Sequence, residues 1–316
     1  MKPIVEPLSR RQALGVLAAP LVAACFPDRL TAPLVSLSET AGPITLIGAG
    51  DQHAAASNYA HTTGRIIKGM LDANPAAHAF ALGDLVPNGT AQEYRDYYHR
   101  AWGVFKDRTL FMVGNHDRKV DPTATAYYDY VGEGGGPRGK GYYAKTFGSW
   151  RCYFLNDQGG FALRSEQTEW LKADLPNWAN HHIMAMWHQP MFASACAHSR
   201  RPMTYPGGLG PWWSLLQSYG AEFVVSGHVH RYERLARMLR DGTPSAQGIR
   251  QFIVGTGGVK PMEILKVHPQ CQRQVVTRGI FRLDLYSDRY KWKLTDLSGV
   301  VRDSGGQMCR KVVAAG

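Results

Sequence analysis

Five apolar runs in this chain end in the same way. Residues 44–47 lead into Gly48-Ala49-Gly50-Asp51-Gln52-His53, and residues 79–82 into Gly83-Asp84. Residues 110–113 lead into Gly114-Asn115-His116-Asp117, residues 183–187 into His188-Gln189-Pro190, and residues 223–226 into Gly227-His228-Val229-His230. The runs are continuous rather than alternating, which marks strands buried on both faces between helices. Each delivers a carboxylate, an amide or an imidazole at its C-terminal end, the edge at which α/β sheets build their sites. Glycine there lets the backbone turn sharply and lets a ligand approach.

The segments between these runs read as helices at 62–71, 91–105 and 165–174, the last with Ser165 and Glu166 placed to cap and charge its first turn. Residues 150–155 form a further strand, and the C-terminal third turns to strands at 251–254, 281–286 and 290–294. The alternation implies an α/β protein: a four-layer α/β/β/α sandwich of two mixed sheets flanked by helices, with its site at the C-terminal strand edges. Two glycine-rich stretches, 132–141 and 194–210, read as loops.

Asp51, His53, Asp84, Asn115, His188, His228 and His230 are too many N and O donors for one tetrahedral zinc. They suit two metal ions sharing a carboxylate, and imidazole mixed with oxygen favours Fe, Zn or Mn over calcium or magnesium alone. Each piece has a plain reading by itself: Gly-Asp is commonly a turn, Gly-Asn-His-Asp fits a hairpin, and His-x-His is a weak metal signal. Their joint occurrence, each after a buried strand, is what points to a dinuclear centre.

Asp51-x-His53, Gly83-Asp84, Gly114-Asn115-His116-Asp117, His188 and Gly227-His228-x-His230, in this order, resemble the signature of calcineurin-like metallophosphoesterases. The segment from Gly227 to Arg234, the run Ser165-Glu166-Gln167-Thr168-Glu169-Trp170-Leu171, Gly255-Thr256-Gly257-Gly258 and Asp303-Ser304-Gly305 are similar to the purple acid phosphatase branch. The resemblance covers residues 43–306. It implies that Asp51, His53 and His230 hold a first metal, that Asn115, His188 and His228 hold a second, and that Asp84 bridges them. It implies that His116 faces the substrate and stabilises phosphoryl charge or protonates the leaving alkoxide, with Asp117 orienting it. Arg118, Arg231 and Arg234 are candidate phosphate contacts, against a solvated or structural salt-bridge role for each. Arg138, Lys140, His198, Arg200 and Arg201 are candidate lid residues. One position departs from the purple type: a tyrosine is expected three residues after the bridging aspartate, and here Pro87 stands there, so no tyrosinate-to-iron colour is expected.

The implied activity is hydrolysis of phosphate monoesters by metal-activated hydroxide. The alternatives are a phosphodiesterase acting on cyclic nucleotides or glycerophosphodiesters, and a non-catalytic metal-binding surface lipoprotein. The formal charge is +11, of which Lys2, Arg10, Arg11 and Glu6 account for +2, leaving +9 downstream. Such a balance draws small anionic esters inward. No basic run interleaved with aromatics suggests specific nucleic-acid binding.

Residues 1–24 pair Arg10-Arg11 with a short apolar run ending Val22-Ala23-Ala24, directly before Cys25. That is the pattern of a twin-arginine export signal with a lipoprotein-like processing site; a plain signal peptide or an amphipathic helix are the alternatives. The expectation is export to the periplasm or cell envelope, membrane attachment through a lipidated Cys25, a tether over 25–42 and the catalytic domain over 43–316. Four cysteines remain. Cys271 with Cys309, or either with Cys196, is the expected disulfide, against buried free thiols for these and Cys152.

Overall fold

The computed structural model describes residues 42–55, 59–196, 203–204 and 206–310. The expected export signal over 1–24, the expected tether up to residue 41 and the candidate lid residues His198, Arg200 and Arg201 lie outside them. In chain order the strands are β1 (Ile44–Ala49), β2 (His78–Leu82), β3 (Thr109–Met112), β4 (Tyr143–Phe147), β5 (Trp150–Phe154), β6 (His182–Trp187), β7 (Phe192–Ala193) and β8 (Met203–Thr204). They continue with β9 (Phe223–Ser226), β10 (Tyr232–Met238), β11 (Ile249–Val254), β12 (Cys271–Val275), β13 (Gly279–Leu285), β14 (Arg289–Asp296) and β15 (Val301–Met308).

One sheet has six strands in the order β15-β14-β13-β1-β2-β3, the other seven in the order β12-β10-β11-β9-β6-β5-β4. Both are mixed. β1, β2 and β3 are parallel, and β13 and its neighbours are antiparallel; β5, β6, β9 and β11 are parallel, and β4, β10 and β12 are antiparallel.

The continuous apolar runs are buried on both faces, as their sequences require. In β6, Met184 and Met186 join the core between the sheets, whereas Ile183, Ala185 and Trp187 pack with Leu171, Trp212, Trp213 and Leu216 of the helices Phe161–Asp174 and Pro206–Ser218. Between the sheets, aromatic rings interlock: Phe223 meets Tyr290 at 4.5 Å and Phe252 meets Phe281 at 5.1 Å between centroids. Each such ring contributes about 1.5–3 kcal/mol by leaving water. The helix Tyr59–Ala73 buries Ile67 and Leu71 in the same core. The expected sandwich, two mixed sheets with helices outside, is the observed one.

Three local expectations differ. The helix expected over 91–105 is broken into short α segments around a π turn, Tyr94–Tyr98, and a 3-10 end, Gly103–Arg108. The helix containing Ser165 begins earlier, after Gly160, so Ser165 lies inside it and caps nothing. Strands β4, β10, β12 and β15 carry exposed or polar positions and gave no continuous apolar run.

The expected disulfide is absent: Cys152, Cys196, Cys271 and Cys309 are all free, with Cys152 and Cys196 buried. Alkylation of the denatured, unreduced protein should label all four. A disulfide-linked peptide containing any of them would contradict this arrangement.

Candidate metal centre

Three strands of one sheet and two of the other end on the same rim of the sandwich. β1 leads to Asp51 and His53, β2 to Asp84, β3 to Asn115 and His116, β6 to His188, and β9 to His228 and His230. The loops are laced across both sheets by backbone bonds. Asp51 N–H donates to Gly83 O (3.0 Å), His53 N–H to Asp84 O (3.0 Å), and Gly227 N–H to His188 O (2.9 Å).

This convergence strains the chain. Among the described residues, the non-glycine positions with positive φ are Ala124 and four site residues: Asp51 (61°), His53 (43°), Asp84 (54°) and His228 (64°). Left-handed backbone costs a non-glycine residue about 1–2 kcal/mol, and such strain gathers where side-chain aim matters more than local comfort. Two glycines make room. At Gly83 (φ +86°) a Cβ would lie 2.7 Å from His188 Nδ1, and at Gly114 it would lie 2.2 Å from Asp84 Oδ1.

The donors fall into overlapping triads: Asp51, His53 and His230; His53, Asp84 and His116; Asp84, His188 and His228. Asp84 Oδ2 is 3.4 Å from both His53 Nε2 and His188 Nε2, and Asp51 Oδ1 is 3.6 Å from His230 Nε2. Asn115 Oδ1 lies 3.0 Å from His188 Nε2 and 3.0 Å from His228 Nδ1. All seven predicted ligands are therefore brought together.

The donor chemistry fits cations. His188 Nδ1 lies 2.7 Å from Leu82 O, and a carbonyl only accepts, so that nitrogen carries the proton. In its neutral form the ring turns a lone pair at Nε2 toward the carbonyl-type oxygen of Asn115 and toward His228 Nδ1, 3.3 Å away. Lone pairs facing one another are repulsive unless a proton or a metal ion lies among them. Asp51 Oδ1 is also buried without a hydrogen bond.

The electrostatics agree. Burial, with Asp84 nearby, pushes Asp51 up to about 7. Burial also acts against charge on Asp84 and on His188, but their mutual attraction outweighs it, holding Asp84 well below the usual carboxylate range and raising His188 to about 10. Burial, with the positive charge of His53, depresses His230 to about 3.

His116 sits differently. Its Nδ1 donates to Pro87 O (2.7 Å), and its Nε2 is 4.0 Å from Asp84 Oδ2. Its side chain is 29% exposed against 15% for His53, 14% for His230 and 0% for His188, so it is the most open of these imidazoles to an incoming molecule.

Asp117 does not orient it. The Asp117 carboxylate is buried and accepts from the N–H groups of Asp84 (2.9 Å), Leu85 (3.0 Å) and Gly114 (2.8 Å) and from Tyr94 Oη (2.8 Å). It holds the two loops that carry Asp84 and Asn115, and the Pro87 carbonyl takes the orienting role expected of it.

Two candidate phosphate contacts are also corrected. Arg231 is fully buried, paired with Glu233 (2.6 Å) and bonded to Ser194 O (2.6 Å) and Glu263 O (3.2 Å). Arg234 pairs with Asp303 (2.8 Å) and lies over the Trp292 ring. Both guanidiniums are committed to fastening chain segments. Arg118 is half-buried and donates to Pro122 O (2.7 Å). Of the lid candidates, Arg138 pairs with Asp129 and Lys140 with Glu166.

Sequence reading missed Asp157. This buried carboxylate accepts from the backbone N–H of His188 (3.1 Å) and Gln189 (2.8 Å) and so fixes the end of β6. The signal was present: β5 is another buried strand that ends on an acid, through Leu155-Asn156-Asp157.

With the geometry given, likeness to known proteins has a definite meaning. The family model for calcineurin-like phosphoesterases matches residues 44–232. The chain belongs to that family. Membership of the calcineurin-like phosphoesterases implies a dinuclear metal centre, and the overlapping triads are candidate ligands for it.

Purple acid phosphatase 15 of Arabidopsis thaliana is 28% identical over 184 residues, 54% of this chain and 33% of that protein. The chain thus spans about a third of the length of that curated relative. A purple acid phosphatase from yellow lupin (Lupinus luteus) seeds superposes with a TM-score of 0.67 at 18% identity, covering 83% of this chain and 53% of that one. GAP50, the anchor in the inner membrane complex of Plasmodium, superposes with a TM-score of 0.67 at 13% identity, over 86% of this chain and 90% of that one. At these identities the likeness to solved structures shows the fold alone, and a fold does not decide activity.

Two outcomes follow for this calcineurin-like centre. Asp117→Ala leaves three buried N–H groups without their acceptor, so unfolding in denaturant should show a loss of about 3–5 kcal/mol; a loss under about 1 kcal/mol would deny the clamp. In the metal-free site, His188 and Asp51 are raised to about 10 and about 7, so both hold protons near pH 6.5. Metals must displace them, so protons are released on binding and affinity rises with pH. Calorimetry at pH 6.5 in buffers of different ionisation enthalpy measures that release directly; metal binding without it would refute the charge assignment.

Proposed function

We propose that the chain hydrolyses phosphate monoesters, with phosphodiesters as the competing substrate class. The observation that carries this reading is a complete ligand set beside one partly exposed imidazole, His116. A binding protein has no use for such a proton donor. The purple acid phosphatase relatives support the monoester over the diester.

In this reading Asp51, His53 and His230 would hold one ion and Asn115, His188 and His228 another, with Asp84 available to both. Two ions of Fe, Zn or Mn, when bound, supply Lewis acidity that activates water and neutralises phosphoryl charge. The chain does the remainder. Asp117 and Asp157 keep the ligand loops in register through backbone N–H groups. Pro87 O fixes the proton of His116 on Nδ1, so protonated His116 presents a second N–H at Nε2 toward the substrate. From there it stabilises a phosphoryl oxygen and passes its proton to the departing alkoxide. Arg118, at the end of the same turn, is the remaining candidate for phosphate contact.

The N-terminal residues support export by the twin-arginine route, with Cys25 as the lipidated residue of the processed chain. Envelope location suits an enzyme that recovers phosphate from small esters.

Metal content and turnover test the hydrolase reading together. The purified chain should carry about two metal ions per molecule and cleave p-nitrophenyl phosphate faster than its bis-ester, with loss of turnover on chelation. His116→Ala should keep its metals and lose roughly 10²–10⁴-fold in kcat. Absence of both metal and hydrolysis would refute the hydrolase; faster cleavage of the bis-ester would move the assignment to a phosphodiesterase.

A further inference from the structure

At the end of the seven-stranded sheet away from the metal centre, two arginines meet one carboxylate and a third guanidinium lies close by. Glu222 immediately precedes β9 and is buried. Its carboxylate pairs with the Arg237 guanidinium, accepts the backbone N–H of Arg310 (2.6 Å) and lies 3.5 Å from Arg310 Nε. Arg250, near the start of β11, donates its backbone N–H to Glu222 O (3.2 Å). The Arg250 guanidinium donates to Leu235 O (3.2 Å) and to the side-chain oxygens of Gln272 (2.7 Å) and Gln307 (3.1 Å), all of them neutral.

The charges do not balance. Arg237 and Arg310 have side chains only 9% and 19% exposed, and Arg250 is 9% exposed. The nearby acids Asp288 and Asp303 are engaged by Arg289 and by Arg234. Arg237 and Arg310 therefore share one carboxylate while the Arg250 guanidinium has none, with little water to screen them, and buried charge of one sign is strongly disfavoured without a counterion.

The hydrogen bonds do not balance either. Nε of Arg237 and Nε of Arg250 are buried without a hydrogen-bond partner among the described residues, Nε of Arg310 meets only the Glu222 carboxylate at 3.5 Å, and the buried Tyr290 hydroxyl has only the Arg250 guanidinium beside it. The Tyr290 hydroxyl lies within electrostatic reach of Arg250, Arg237 and Glu222. Three of these groups can only donate, and the hydroxyl can donate as well. A water molecule accepts at most two of them and carries no charge. His182, Glu222 and Cys309 also approach one another like a metal triad. A cation there would meet the arginines already on Glu222, so the missing ligand is an acceptor of negative charge.

We propose that a small inorganic anion, a halide or orthophosphate, binds among Arg237, Arg250, Arg310 and Tyr290 and fastens the two sheets together. The placement suits such a fastener, because Tyr290 belongs to the six-stranded sheet, Arg237 and Arg250 to the seven-stranded one, and Arg310 follows β15. The site is separate from the metal centre, which lies beyond the other ends of β9 and β11.

The test uses the full chain with its metals in sodium gluconate, part of which is exchanged at constant ionic strength for sodium chloride, sodium bromide or sodium phosphate. The melting temperature should rise by about 3 °C with the halides or with phosphate, and Arg250→Gln should abolish the rise. A rise with the halides assigns a halide, and a rise with phosphate alone assigns the oxyanion. No rise, or an equal rise in Arg250→Gln, overturns the site; an equal rise with phosphate then belongs to the metal centre. If Arg250→Gln does not fold, crystals grown in bromide decide. An anomalous peak within hydrogen-bond reach of Arg250 Nε and Tyr290 Oη upholds the site, and its absence from both bromide and phosphate density overturns it.

Discussion

Asp51 and Asp84 are two fully buried carboxylates near enough to act on one another, and the chain brings only imidazoles to answer them. No lysine or arginine among the described residues pairs with either. Such a pair needs protons or metal cations to neutralise it, and the rest of the rim is arranged around that demand. The left-handed backbones at Asp51, His53, Asp84 and His228 aim donors at a common centre. The carbonyls of Leu82 and Pro87 fix ring protons on Nδ1 of His188 and His116. The glycines at 83 and 114 let the loops approach closely enough for Asp84 to reach both groups of imidazoles.

A second tier of buried acids holds the first in place without competing as ligands. Asp117 and Asp157 spend their oxygens on backbone N–H groups, and so determine where loops lie rather than which atoms meet a metal. The Asp51 carboxylate joins both roles: one oxygen accepts the His228 N–H at 2.7 Å while the other is left unbonded. Loss of one such clamp is therefore felt at several ligands, because each loop also borrows hydrogen bonds from its neighbour.

The ligand set was legible because it is tied to chain order. A strand buried on both faces must be continuously apolar, and the first polar residues after it must emerge at the sheet edge. That logic located Asp51, Asp84, Asn115, His188 and His228, and with them the two-sheet sandwich. It failed where the deciding partner is remote in sequence. Arg231 and Arg234 follow the last ligand directly and left phosphate contact and salt bridge both open, and only the fold shows that Glu233, Ser194 and Asp303 claim them. Asp117 stands beside His116 in sequence, yet its carboxylate turns to the Asp84 loop, more than thirty residues earlier. The tyrosines at 94 and 98 lie in a π turn that no 3.6-residue pattern announces. Cysteine count and an oxidising compartment suggested a bridge, but pairing needs geometry that composition does not contain.

Pro87 occupies the position where the purple acid phosphatase resemblance leads one to expect tyrosine. A proline cannot donate a backbone hydrogen bond and fixes its own φ, so what it offers here is a rigidly placed carbonyl. That carbonyl accepts the proton of His116 Nδ1. The residue that removes a phenolate from the first triad therefore also determines which nitrogen of the proposed acid faces the substrate. Meanwhile His53 completes the triad with a neutral imidazole. Replacing an anionic ligand by a neutral one lowers the negative charge around that ion by one unit, which disfavours a trivalent metal relative to a divalent one. The same substitution that removes the expected tyrosinate-to-iron colour thus argues against a ferric ion at the first of the proposed sites.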